Sequence, residues 1–119
     1  MIEDMYAEHL LDHYRFLRNR GLLSKKTFTF TDTNQTCGDK LVFDVLVENN
    51  KIMGIGFDGV GCAISQAGAS ILTEHVKGKN VSIIKKMSES DYLKILGVKI
   101  SPARINCAML GFKILKNII

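Results

Sequence analysis

Apolar and polar positions alternate with two different periods along this chain, and the change from one to the other divides it. From Glu3 to about Arg18, Tyr6, Leu10, Tyr14 and Leu17 recur at spacings of four, four and three, which lays an apolar stripe along a helix. Asn19, Arg20 and Gly21 read as its end. Lys26 to Asp32 then alternates, with Phe28 and Phe30 on one face and Thr27, Thr29 and Thr31 on the other, the pattern of a half-buried strand. Leu41 to Glu48 and Lys51 to Phe57 are also strand-like, and the Asn49-Asn50 pair between them tolerates the positive φ angles of a tight hairpin turn. After Gly61 the period becomes helical: Ile64, Ala67, Ile71, Leu72 and Val76 share one face, and Gly78 stands where a left-handed cap is expected. Val81 to Met87 reads as a short helix. Ser101-Pro102 is a helix-start signal, and Ile105, Ala108, Met109, Phe112 and Leu115 follow it with helical period. Strands followed by helices predict an α+β fold: a three-stranded antiparallel sheet with helices packed on one face, preceded by an N-terminal helix.

At 119 residues the chain is expected to form a single domain over 1–119, with a core large enough to need no disulfide staples. It has no apolar run of the ~18 residues that span a bilayer. The acidic start Met1-Ile2-Glu3-Asp4 is unlike a signal peptide, so a cytoplasmic protein without a membrane partner is expected. The net charge of +4 is spread along the chain and hints only mildly at an acidic partner. Lys77, Lys79, Lys85, Lys86, Lys94 and Lys99 read as a solvated face or a docking surface for such a partner. No nucleic-acid motif accompanies them, and nucleic acid is not expected.

The cysteine count changes the picture. Three cysteines argue against a disulfide framework and for metal ligation or a reactive thiol. If Asn49-Asn50 closes a two-residue hairpin, Glu48 faces Lys51, and the same register carried down the ladder sets Cys37 opposite Cys62 and Asp39 opposite Val60. A bulge at Gly59 or Gly61 would shift that register, and a one-residue slip would put the thiols on opposite faces. Cys62 immediately precedes a helix, where exposed N–H groups favour negative charge on sulfur. Cys107 lies early in the last helix, with Arg104 three residues before it on the same face. Cys37, Cys62 and Cys107, completed by Asp39, make a donor set suited to zinc or an iron–sulfur unit.

Other patterns carry less. Gly54-Ile55-Gly56-Phe57-Asp58-Gly59 fits G-x-G-x-x-G, yet strand alternation runs through it where a dinucleotide site would open a helix. His9 and His13 are four apart without the glutamate or third ligand of a zinc protease, and His75 reads as a helix-dipole partner. Ala67, Gly68, Ala69 and Ser70 read as exposed small residues that allow close helix packing.

Cys37-Gly38-Asp39, Gly59-Val60-Gly61-Cys62-Ala63-Ile64-Ser65 and Arg104-Ile105-Asn106-Cys107 resemble the three signature segments of the IscU/SufU/NifU N-terminal-domain family. Met5-Tyr6, His13-Tyr14-Arg15 and Asn19-Arg20-Gly21 resemble its N-terminal segment, so the likeness covers nearly the whole chain in order. The resemblance implies an iron–sulfur cluster assembly scaffold or zinc-dependent sulfurtransferase rather than a turnover enzyme. Such a protein takes persulfide sulfur from a PLP-dependent cysteine desulfurase. It then builds a transient two-iron–two-sulfur cluster or passes sulfur on, with apo iron–sulfur proteins downstream. By position Cys37, Asp39, Cys62 and Cys107 match the family's metal ligands, with zinc or iron as occupant. Cys37 is the expected sulfur acceptor, Cys107 its rival, and Arg104 a stabiliser of the Cys107 thiolate. Asn106 stands where IscU-type members carry His, and Ile100-Ser101-Pro102-Ala103-Arg104 replaces their chaperone-recognition segment. Both departures lean the reading toward SufU, although the insertion usual in SufU between Cys62 and Cys107 is missing, and Leu17 and Gln35 stand where the family usually has Pro. The competing reading is a structural-zinc domain that binds another protein and does no sulfur chemistry.

Overall fold

A computed structural model describes residues 2–34, 38–97 and 105–117, with the side chains of 2–7, 9 and 34 excepted. The elements run α1 (Ile2–Arg15), β1 (Phe28–Asn34), β2 (Asp39–Glu48), β3 (Lys51–Val60), α2 (Ala63–Val76), α3 (Ser82–Lys86), α4 (Glu89–Leu96) and α5 (Ile105–Lys116). The three strands form one antiparallel sheet in the order β1-β2-β3, and α2 and α5 pack against it. The expected α+β architecture is the one observed. None of the helices is long and apolar enough to cross a membrane, among the described residues.

The hairpin turns as its sequence dictates, with Asn49 and Asn50 at φ 53° and 63°, the left-handed values that asparagine tolerates best after glycine. Glu48 faces Lys51 and Val47 faces Ile52, but the register then shifts, so that Leu46 faces Gly54 and Lys40 faces Val60. The bulge sits at Met53, not at Gly59 or Gly61, and it corrects the expected pairing of Asp39 with Val60. Its cause lies in the core. Ile52, Ile55 and Phe57 are all buried, and the three-residue step between the first two needs one extra residue to bring both to the same face. Met53 is that residue, and it projects to solvent.

Leu41, Phe43, Val45, Ile55 and Phe57 fill the helix side of the sheet, with the Phe43 and Phe57 rings stacked at 5.9 Å. α5 lies close enough that a Cβ on Gly111 would stand 3.2 Å from the Phe43 ring. The opposite face is covered by a strap over residues 19–27. Its start pairs with the free edge of β3 (Gly21 N to Phe57 O, 2.7 Å; Phe57 N to Asn19 O, 3.0 Å), and the Leu23 side chain lies over Gly54 and Gly56.

Several expectations change. α1 ends at Arg15, short of Arg18, because the chain must turn at Asn19 (φ 60°) to enter the strap. Its buried face also differs: Tyr14 is exposed, while His13 is buried with its Nδ1 2.8 Å from Ser70 Oγ. Ala67, Gly68, Ala69 and Ser70 are buried, not exposed. Close packing is nevertheless their role, since a Cβ on Gly68 would stand 2.8 Å from the Tyr92 hydroxyl. That hydroxyl donates to Ala108 O at 2.7 Å, tying α4 to α5. α4 itself was not expected, although its signals are local: a reciprocal Ser88/Asp91 capping box and a left-handed Gly97 (φ 72°). The Ser101-Pro102 start signal lies outside the described residues. His75 stands in the last turn of α2, where burial and the neighbouring Lys79 hold its pKa below the usual value.

Candidate metal centre

Elements distant in sequence meet where β3 turns into α2. Asp39 opens β2 and is 1% exposed. Cys62 occupies the N-cap of α2 with extended backbone (φ −71°, ψ 166°), and its side chain does not cap the helix. Cys107, on the first turns of α5, is buried. One donor atom from each of Asp39, Cys62 and Cys107 lies within 4.8 Å of the other two. The expected residues Cys37 and Arg104 lie outside the described residues, as do His9's side chain and Lys99.

The carboxylate of Asp39 has two distinct ends. Oδ1 accepts the Cys62 N–H at 2.8 Å, while Oδ2 lies 3.8 Å from Cys62 Sγ. The register shift makes this possible: with Lys40 opposite Val60, Asp39 falls beside Gly61 and reaches the N-cap. Gly61 leaves room for this approach, because a Cβ there would stand 2.5 Å from Asp39 Oδ1 and 2.6 Å from Ser65 Oγ. Ser65, buried one turn into α2, donates to Cys62 O at 3.0 Å and holds its oxygen 3.9 Å from Cys62 Sγ. Ser65 is a site neighbour that residue type alone does not announce; its i+3 spacing from Cys62 is the signal that points to it.

This donor set fits a metal. Tetrahedral zinc with sulfur at about 2.3 Å and oxygen at about 2.0 Å places its ligands roughly 3.5–3.8 Å apart, close to the Cys62–Asp39 separation of 3.8 Å. Two thiols and a carboxylate suit zinc or iron by softness, and Oδ2 is directed at sulfur. The G-x-G-x-x-G run, in contrast, lies in β3 with no helix opening at its glycines. Gly56 serves the approach of the strap, since a Cβ there would collide with Gly21 O.

Residues 5–119 match the family model described as the NifU-like N-terminal domain. The zinc-dependent sulfurtransferase SufU of Bacillus subtilis is 31% identical, covering 97% of this chain and 89% of its own length. The iron–sulfur cluster assembly scaffold protein IscU of Thermotoga maritima is 32% identical over 94% of this chain and 90% of its own. The crystal structure of FiSufU from Fervidobacterium islandicum superposes with a TM-score of 0.80 at 25% identity, covering 97% of this chain and 96% of that one.

Proposed function

The chain belongs to the NifU-like N-terminal domain family, and from that premise we propose that it is an iron–sulfur cluster assembly scaffold that accepts sulfur at a Cys37, Asp39, Cys62 and Cys107 site. The observation that carries this reading is the convergence of Asp39, Cys62 and Cys107 donor atoms within 4.8 Å. Zinc would hold the thiols deprotonated at neutral pH; iron and sulfur are the cargo. Asp39 supplies the one hard donor of the set, which suits a site that must release what it holds.

In the sulfur-accepting step a thiolate attacks the terminal sulfur of a persulfide on a cysteine desulfurase. One S–S bond forms, one breaks, and the donor cysteine leaves as a thiolate, so the electrons balance without an external oxidant. Cys37 is the proposed acceptor. Cys107 is the weaker candidate, since at 1% exposure its sulfur is not open to an incoming partner. Downstream apo iron–sulfur proteins would receive the product. The zinc dependence of the SufU relative favours zinc as the resting occupant.

The test is anaerobic metal analysis of the wild type and of Cys37→Ala, Asp39→Ala, Cys62→Ala and Cys107→Ala, followed by mass spectrometry after mixing with a cysteine desulfurase and cysteine. The expected result is bound zinc or iron that each substitution diminishes, and a 32-Da sulfur adduct on Cys37. Metal that survives Asp39→Ala at full occupancy, with no adduct on any cysteine, would favour the structural-zinc reading instead.

A further inference from the structure

The segment that aims Cys62 is held by side chains outside the donor set. β3 is an edge strand, and its outward backbone groups need partners. At Phe57 they find main chain, from Asn19 and Gly21. Two residues on, at Gly59, they find side chains. The Gly59 N–H donates to Asp58 Oδ1 at 2.8 Å, and the Gly59 carbonyl accepts from Gln66 Nε2 at 3.2 Å and from Arg20 at 3.4 Å. Arg20 also pairs with Asp58 Oδ1 (Nε 3.0 Å, second contact 2.9 Å) and reaches Gln66 Oε1 at 3.5 Å. Gly59 adopts φ +144°, and a Cβ there would collide with Lys40 O, so only glycine fits at this point of the strand end. Gln66 is only 6% exposed, and its own N–H donates to Cys62 O at 3.2 Å. One residue thus holds the strand end through its side chain and the N-cap cysteine through its backbone.

We propose that Gln66, braced by Arg20, is a positioning residue for the metal centre: it locks the β3–α2 turn so that Cys62 Sγ faces Asp39 Oδ2. The proposal rests on the metal-site reading above but goes beyond it, since neither residue is a ligand. A buried amide is an expensive way to fill a helix position facing a strand, because each of its polar atoms must be matched. Here the matched atoms are the ones that fix the turn. Metal sites depend on such outer partners, whose loss typically costs ten- to a hundredfold in affinity.

The test uses Gln66→Met, which keeps length and removes the amide, and Arg20→Lys, which keeps charge at a half-exposed position and removes the fork. Amide hydrogen exchange of the metal-free protein reads the turn, and chelator competition reads zinc affinity. The expected result for Gln66→Met is faster exchange at Gly59 and Cys62, with core amides of β2 and α5 unchanged, and zinc binding weakened about tenfold. Arg20→Lys should shift both readouts in the same direction by less. Equal acceleration of all amides in either variant would make the role merely structural, and wild-type exchange at Cys62 in both would overturn the proposal. If the wild type itself bound no zinc, the metal-site reading would fail, while exchange would still decide the positioning role.

Discussion

Asp39 and Asp44 lie on the same strand, 1% and 0% exposed, and their odd spacing turns them to opposite faces of the sheet. Asp44 faces the strap. Its Oδ2 accepts from Leu23 N at 3.0 Å and Lys26 Nζ at 3.0 Å, and its Oδ1 accepts from the Thr29 hydroxyl at 2.8 Å. Burial pushes this carboxyl upward, but the Thr29, Lys26 and Leu23 donors outweigh it and hold the pKa below the ordinary 3.8. Asp39 faces the helix N-cap, with an N–H on Oδ1 and a thiol on Oδ2. A buried carboxylate whose oxygens both receive N–H or O–H donors is a clasp. One whose second oxygen meets sulfur is a candidate ligand. Burial alone does not separate the two; the identity of the donors does.

The sharpest way to break that contrast is to remove the clasp. Asp44→Ala leaves the Thr29 hydroxyl and Leu23 N–H without their acceptor and Lys26 without its counter-charge. The expected cost is about 2–4 kcal/mol in urea unfolding, with the metal content per folded molecule unchanged. A metal loss as large as that of Cys62→Ala would show that the two faces are not independent.

Gly61→Ala is the next largest effect and should invert the pattern. The added methyl meets Asp39 Oδ1 and Ser65 Oγ, so the Asp39 carboxylate must swing away or the N-cap must move. Overpacking of this kind costs about 1–3 kcal/mol, and zinc competition should show a proportionally greater loss of affinity than the unfolding curve shows of stability.

How far these regions could be read in the sequence differs in the same way. The hairpin was legible because Asn49-Asn50 leaves few other conformations, and the core faces were legible because Phe43 and Phe57 obey a two-residue period. The meeting of Cys62 and Cys107 with Asp39 was legible from residue type, since cysteines beside glycine and helix starts point to ligation, while Cys37 lies outside the described residues. Register was not. The bulge at Met53 is set by Ile52 and Ile55 both seeking the core, a demand visible in their spacing only once the facing residues Val47 and Val45 are known. The clasp at Asp44 was hidden more deeply. Asp44 reads as the polar position of an alternating strand, and nothing local says that a strap some twenty residues earlier will cover it. α4 falls between: its capping box is a four-residue signal, but its eight residues are too short for the apolar period to repeat beyond Tyr92 and Leu96. His13 is hidden because a histidine on a helix is ordinarily half-exposed, while here its ring meets the Ser70 hydroxyl across the α1–α2 contact.

Asp39→Ala in the metal-free protein should be milder than Asp44→Ala. One N–H, that of Cys62, loses its acceptor, and the thiol contact at 3.8 Å is weak, so about 1 kcal/mol is expected by urea unfolding. The stabilisation that added zinc confers on the wild type should be sharply reduced in the variant, since binding to the native state raises its stability only as far as affinity allows. Equal losses in Asp39→Ala and Asp44→Ala without metal would mean that both carboxylates are clasps.

Acid sharpens the comparison with the smallest effect. The Asp44 carboxyl titrates lower in the folded protein than in the unfolded chain, so the unfolded state takes up its proton first as the pH drops. The stabilising contribution is therefore complete above the unfolded value of about 4 and is lost as pH falls through the folded value. Metal-free wild type should lose stability between neutral pH and pH 3 more steeply than Asp44→Asn, whose amide cannot titrate. The extra stability that the wild type loses in total amounts to about 1.4 kcal/mol for each unit by which the folded and unfolded pKa values differ. Asp58 is also held below the ordinary value, by the Gly59 N–H and by Arg20, but its half-exposed side chain is screened by water and adds little to the slope. Parallel acid curves for wild type and Asp44→Asn would show that the donors around Asp44 do not favour its charged form, and the distinction between clasp and ligand would then need another physical basis.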